Sequence, residues 1–122
     1  MKISNKAKIA ISVISMITKN DVVSSEPIGI LAMATELHLS VSYIEQVVKH
    51  LREAGFVIGR RGPNGGYVLA KHPKDILIVD VIKTLDGDID PTGEKEWDHL
   101  QTIIYKAISN ITLKALIAKA ND

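Results

Sequence analysis

LSVSYIEQVVKHLREAGFVIGRRGPNGGYVLAK, residues 39–71, decides the fold. Its first half has a helical period: Ile44, Val47, Val48, Leu51 and Ala54 recur at three- and four-residue steps and so share one helix face. Ser42 and Glu45 are spaced as a capping box at its start, and Gly55 is a C-terminal stop. The second half changes period. Phe56-Val57-Ile58-Gly59-Arg60-Arg61 and Gly66-Tyr67-Val68-Leu69-Ala70 are short strand-like runs around Gly62-Pro63-Asn64-Gly65, a turn composition, and together predict a β-hairpin.

Upstream, Pro27 is followed by Ile30, Leu31, Met33, Ala34 and Leu37, a short helix that ends near Leu39 and Ser40. Two helices joined by about four residues, the second with a polar outer face, form a helix-turn-helix, and a hairpin directly after the second helix is a wing. Before this unit, Ala7, Ile9, Ala10, Ile11, Val13, Ile14, Met16 and Ile17 predict a helix buried on most sides, followed by a polar stretch from Lys19 to Ser25. After it, Pro73, Lys74 and Asp75 are expected to begin a fourth helix carrying Ile76, Ile78, Val79, Val81, Ile82 and Leu85. Asp86 to Gly93 is loop-like. From Glu94 a long helix is expected, in which Trp97, Leu100, Ile104, Ala107 and Ile111 draw the narrow apolar stripe of a helix that pairs with another helix. Thr112 is placed to cap a last short helix with Leu113, Leu116 and Ile117.

The fold class expected is mainly α with a small β-hairpin: a winged helix-turn-helix over 1–75 and a helical dimerisation and sensing part over 76–122, in one compact domain. With 122 residues, 46% of them hydrophobic, there is material for one core and not for two independent domains. No stretch has the ~18 uncharged apolar residues of a membrane span. The N-terminal run is broken by Ser, Thr and Lys, so no signal peptide is expected and the chain is assigned to the cytoplasm. No cysteine occurs, which excludes disulfides, thiolate metal sites, thiolate-held iron–sulfur clusters and thiol redox switches. The net charge of +1 hides an asymmetry: residues 1–74 carry ten Lys/Arg and five Asp/Glu, and residues 75–122 carry five and nine. A basic front half suits a polyanion.

In a recognition helix, residues near the N-terminus lie closest to base edges. Here these are Ser40, Ser42, Tyr43, Glu45 and Gln46, where Gln46 suits adenine, Glu45 suits cytosine, and the serines and Tyr43 suit phosphate or base. Ser40, Ser42 and Glu45 serve equally as helix caps. Lys49, His50 and Arg52 lie further along, toward phosphate or solvent. The wing supplies Arg60 and Arg61 beside Gly62 and Gly65, a guanidinium on a thin turn fit for a narrow minor groove, although the same glycines suit any tight hairpin. Lys2, Lys6 and Lys8 offer further phosphate contacts or a solvated face. His38, His50, His72 and His99 show no close ligand spacing, and Asp86, Asp88 and Asp90 lack the twelfth-position glutamate of a calcium loop, position 97 being Trp, so no metal site is expected. No nucleophile motif, phosphate loop or dinucleotide fingerprint occurs, and no enzyme activity is expected.

The ordered combination of Tyr43-Ile44-Glu45-Gln46, Leu51-Arg52-Glu53-Ala54-Gly55 and Arg61-Gly62-Pro63-Asn64-Gly65-Gly66-Tyr67 resembles the Rrf-two family of bacterial winged helix-turn-helix transcriptional regulators. Lys2-Ile3-Ser4 and the run from Ile76 to Gly87 resemble its first residues and fourth helix, so the resemblance spans nearly the whole chain. It implies a sequence-specific regulator, a repressor, that binds a pseudo-palindromic operator in double-stranded DNA as a homodimer. It also implies that the long helix crosses its twin, and that the wing arginine is Arg61, which precedes the Gly-Pro turn. Cluster-binding members place three cysteines in the loop around 88–95 and at the head of the long helix, and this chain has none there, so no cofactor is expected. A metabolite pocket near Trp97, a partner protein, and no effector at all stay open. So does an alternative role as a protein-interaction or small-molecule-binding module without specific DNA binding. Two positions depart from the pattern: His38 stands where a turn glycine is usual, which strains the turn, and Gly29 where a polar helix cap is usual.

Overall fold

The computed structural model describes the backbone of residues 3–23, 26–87 and 95–120, with the side chains of all of these except 22, 23 and 95–98. Lys2 and the loop residues 88–94, with Asp88, Asp90 and Glu94, lie outside the described residues. In chain order the elements are α1 (Asn5–Val23), α2 (Ile30–Leu37), α3 (Val41–Glu53), β1 (Val57–Arg60), β2 (Gly66–Leu69), a single 3-10 turn (Pro73–Asp75), α4 (Ile78–Asp86), α5 (Lys95–Ile108) and α6 (Leu113–Ala120). The mainly helical architecture with one small antiparallel sheet is the one the sequence pattern predicts.

One core holds the chain together. Ala10, Val13, Ile14 and Ile17 of α1 meet Met33 of α2, Ile44, Val47, Val48 and Leu51 of α3, Phe56 and Val57 of the hairpin, Ile78, Val81 and Ile82 of α4, and Leu113 of α6, all buried. In α1 these positions recur at helical steps, while Ile9, Ile11 and Met16 on its flanks are half-buried, so the apolar sequence of α1 is used on most of its circumference. The α1 helix starts at Ser4, whose Oγ accepts from the Ala7 N–H. That serine is tied across the fold: its backbone N–H donates to Asp86 at 2.9 Å and its hydroxyl donates to the same carboxylate. Asp86 is therefore the exposed last residue of α4 and a partner of the start of α1, and not the first residue of the loop, as the composition suggests.

Four boundaries differ from expectation. The polar stretch after Ile17 stays helical to Val23, and Asn20 Nδ2 then ties α1 to the backbone oxygen of Glu26. The cap of α3 is Ser40, whose side chain accepts from the Tyr43 N–H, so the Ser42–Glu45 box does not start the helix. Pro73–Asp75 forms only a 3-10 turn; Ile76 and Leu77 then run extended because Leu77 bridges Thr112, with the Ile78 N–H bonded to the Ile111 oxygen and the Leu113 N–H to the Ile76 oxygen. For the same reason α5 ends at Ile108, and Ile111 lies in the connection to α6 instead of on the long helix. Thr112 caps α6, its Oγ1 accepting from the Ala115 N–H.

Candidate nucleic-acid interface

The helix-turn-helix is α2, the connection His38–Ser40, and α3. Both helices end in the same hydrogen-bonded stop, in which a residue of left-handed backbone lets the chain reverse. After α3 that residue is Gly55 (φ 84°), with Phe56 N–H returning to the Leu51 oxygen at 2.9 Å. After α2 it is His38 (φ 56°, ψ 43°), with Leu39 N–H returning to the Ala34 oxygen at 3.0 Å. The buried face of α3 (Ile44, Val47, Val48, Leu51) anchors the helix, which leaves Ser42, Glu45, Gln46, Lys49, His50 and Arg52 exposed on the other side. Tyr43 differs from its neighbours: it is half-buried and packed against the core.

The wing pairs β1 with β2 in the register Val57↔Leu69, Ile58↔Val68, Gly59↔Tyr67 and Arg60↔Gly66. Its tip is a turn closed by Gly65 N–H to the Gly62 oxygen at 2.9 Å, with Pro63 at the position whose fixed φ suits a turn. A Cβ on Gly65 would stand 2.6 Å from the Arg60 oxygen. An isolated bridge that sequence reasoning missed anchors the wing: Ile28 pairs with Tyr67, with both N–H groups bonded to the opposite oxygens at 3.1 and 2.8 Å. A side chain on Gly66 would collide with the Ile28 carbonyl, which is why a glycine stands there. Periodicity gives no warning of a one-pair bridge.

Both wing arginines are exposed, but their surroundings differ: Arg60 also lines a cleft behind the wing with Thr18, Asp21 and Glu26, whereas Arg61 stands at the start of the tip. Another cleft, between α3 and the wing, is lined by Ile30, Glu45, Lys49, Arg52 and Tyr67. Structure thus brings Glu45 and Lys49 together with Arg52, and places Ser40, Ser42 and Gln46 on the same exposed helix end, while Gly62 and Gly65 shape the tip. Lys6 is half-buried and Lys8 exposed on α1.

The α5 helix has two faces. Gln101 is buried, Ile108 packs against the core, and the Tyr105 ring lies under Lys83 Nζ of α4, 4.5 Å from the ring centroid. The other face exposes Leu100 (44%) and Ile103 (52%), with Ala107 exposed beside them and Ile104 half-buried. Ile103 is a member of this face that the predicted stripe omitted; the side chain of Trp97 lies outside the described residues. An apolar groove of about 830 Å³ runs between α1, α2 and α6, lined by Ile11, Met16, Ala32, Leu116 and Ile117 among others. Among the described residues, no helix is long and apolar enough to cross a membrane.

A two-helix reader with an anchored hairpin beside it defines a winged helix-turn-helix DNA-binding protein. The chain belongs to the Rrf2 family, described as iron-dependent transcriptional regulators, whose family model matches residues 3–119. It is similar to the transcriptional regulator CymR of Bacillus subtilis, 31% identical over 95% of this chain and 89% of that one. The solved structure of CymR, the global cysteine regulator of that organism, superposes with a TM-score of 0.82 over 98% of both chains at 29% identity. The regulator IscR of Cronobacter sakazakii is 29% identical over 96% of this chain and 80% of its own. The protein is accordingly a DNA-binding transcriptional regulator and not an enzyme.

The family description names iron, and the donor set of this chain does not fit an iron–sulfur cluster. Clusters are held by cysteine thiolates, and the chain has no cysteine. Among the described residues no three His, Asp or Glu side chains converge on a common point, and His72 uses its Nδ1 to accept from the Lys74 N–H at the 3-10 turn.

Proposed function

We propose that the protein is a sequence-specific repressor that binds a pseudo-palindromic operator as a homodimer, without an iron–sulfur cluster. The observation that carries this is the exposed polar end of α3, Ser40, Ser42, Glu45 and Gln46, next to a cleft in which Lys49 and Arg52 face the wing. A major groove admits one α-helix, and donors and acceptors at its leading end read base edges while flanking cations meet phosphate. Gln46 and Glu45 are the base readers in this arrangement, Lys49 takes phosphate, and Arg61 at the wing tip reaches a minor groove. Arg60, which lines the cleft with Asp21 and Glu26, contributes less.

Residues 1–75 supply the reader and residues 76–122 the pairing surface, built on one shared core. The exposed face of Leu100, Ile103 and Ala107 supports the homodimer, since its spacing is that of a helix seam. Two readers on one side of a two-fold axis call for a palindromic site. Bound over a promoter, such a dimer occludes polymerase. The absence of thiolates supports sensing without a cluster.

The test is binding to a labelled duplex from the gene's own upstream region, with unrelated competitor DNA present, at two salt concentrations. Specific binding that weakens with salt is expected. Gln46→Ala and Arg61→Ala should each cost about 1–3 kcal/mol, with Arg60→Ala costing less. Affinity equal to that for competitor, and indifferent to these substitutions, would sink the proposal.

A further inference from the structure

Val41 is the first residue of α3 and is 40% exposed. It is not among the core residues or those packed against them. The core takes Ile44, Val47, Val48 and Leu51 from this helix, and the cap is supplied by Ser40. A β-branched apolar residue loses rotamer freedom in a helix, and at 40% exposure Val41 is only partly repaid by burial. Its neighbours on the exposed helix end are all polar: Ser40, Ser42, Glu45 and Gln46. A lone apolar group is therefore set among hydrogen-bonding groups at the end of the helix that leads into DNA.

The major groove presents one apolar mark among its donors and acceptors, the C5-methyl group of thymine, and apolar side chains recognise it by contact. We propose that Val41 reads a thymine methyl in each operator half-site and so fixes one A·T pair that hydrogen bonding alone would leave less well discriminated. This rests on the DNA-reading function proposed above and names a specificity residue within it. Leu31 of α2 is more exposed, at 70%, but it belongs to the first helix of the motif, which crosses the DNA backbone and meets no base edges.

The experiment uses the full-length protein and the duplex that footprinting of the gene's own upstream region shows to be protected. Each thymine is replaced singly by deoxyuridine, which deletes the methyl and leaves every hydrogen bond. Wild type should lose about four-fold in affinity at one thymine per half-site, the effect of one buried methyl-sized group. Val41→Ala should lose a similar factor on the unmodified duplex and be indifferent to deoxyuridine at that same position. Val41→Thr, which keeps one methyl, should fall between, and both variants should stay folded, with melting lowered by at most a few degrees, because the side chain is outside the buried core. Wild-type indifference to every deoxyuridine, or a Val41→Ala variant that retains the full deoxyuridine penalty, would overturn the inference with the operator reading intact. Failure of wild type to protect any site would overturn both together.

Discussion

His38 holds the backbone conformation that Gly55 holds one helix later, and only one of the two residues is suited to it. A left-handed conformation brings Cβ against the following carbonyl at a cost of about 1–2 kcal/mol for an L-residue, and glycine escapes this. His38 is exposed, so its side chain recovers little by packing. His38→Gly should therefore stabilise the protein by about 0.5–1 kcal/mol, after the extra freedom glycine has in the unfolded chain is subtracted. A urea midpoint that rises at unchanged slope checks this; a fall would show that His38 makes a compensating contact. Sequence made these residues legible to different degrees. Gly55 and the Gly-Pro turn announced themselves by composition, and the position of His38 where a glycine is usual was itself a signal. Gly66 was not interpretable in advance, because its constraint comes from Ile28, far away in the chain.

The existence and order of the elements followed from local pattern, and their ends did not. The α3 helix is legible from its buried face, but its cap is not, because Ser40 and Ser42 are both good capping residues and only geometry chooses between them. Ser40→Ala should cost about 1 kcal/mol, the usual price of a lost N-cap, while Ser42→Ala should stay within about 0.5 kcal/mol in thermal or urea unfolding. Equal losses at both would restore the capping box. Where α4 begins and α5 ends was set by the Leu77–Thr112 bridge, a long-range pairing with no periodic trace. Ile111 kept phase with the apolar stripe in sequence while its carbonyl was taken by the Ile78 N–H. The reader was legible as far as its exposed polar residues. Val41 lies in phase with Ile44 and Val48, and only its exposure at the helix start separates it from them.

At the scale of the molecule, the basic half of the chain carries the reader and the acidic half carries α5, so the excess of carboxylates that would repel phosphate lies outside the reader. The α5 helix packs on its own core through Gln101 and Ile108 and turns Leu100 and Ile103 outward. If that face pairs with a second copy, folding and association are linked, and melting temperature must rise with protein concentration. The double substitution Leu100→Asp, Ile103→Asp places two carboxylates on the seam without disturbing a buried side chain. Sedimentation should then show a monomer where wild type is a dimer, and the concentration dependence of melting should vanish. Each protomer would still bind a half-site, but without the second reader tethered to it. The effective concentration gained by linking two modules is worth about 10²–10⁴ in affinity, so operator binding should fall by at least a hundred-fold while weak, salt-dependent binding to random duplex persists. Retention of dimer mass and operator affinity in this variant would place the pairing surface elsewhere than on α5.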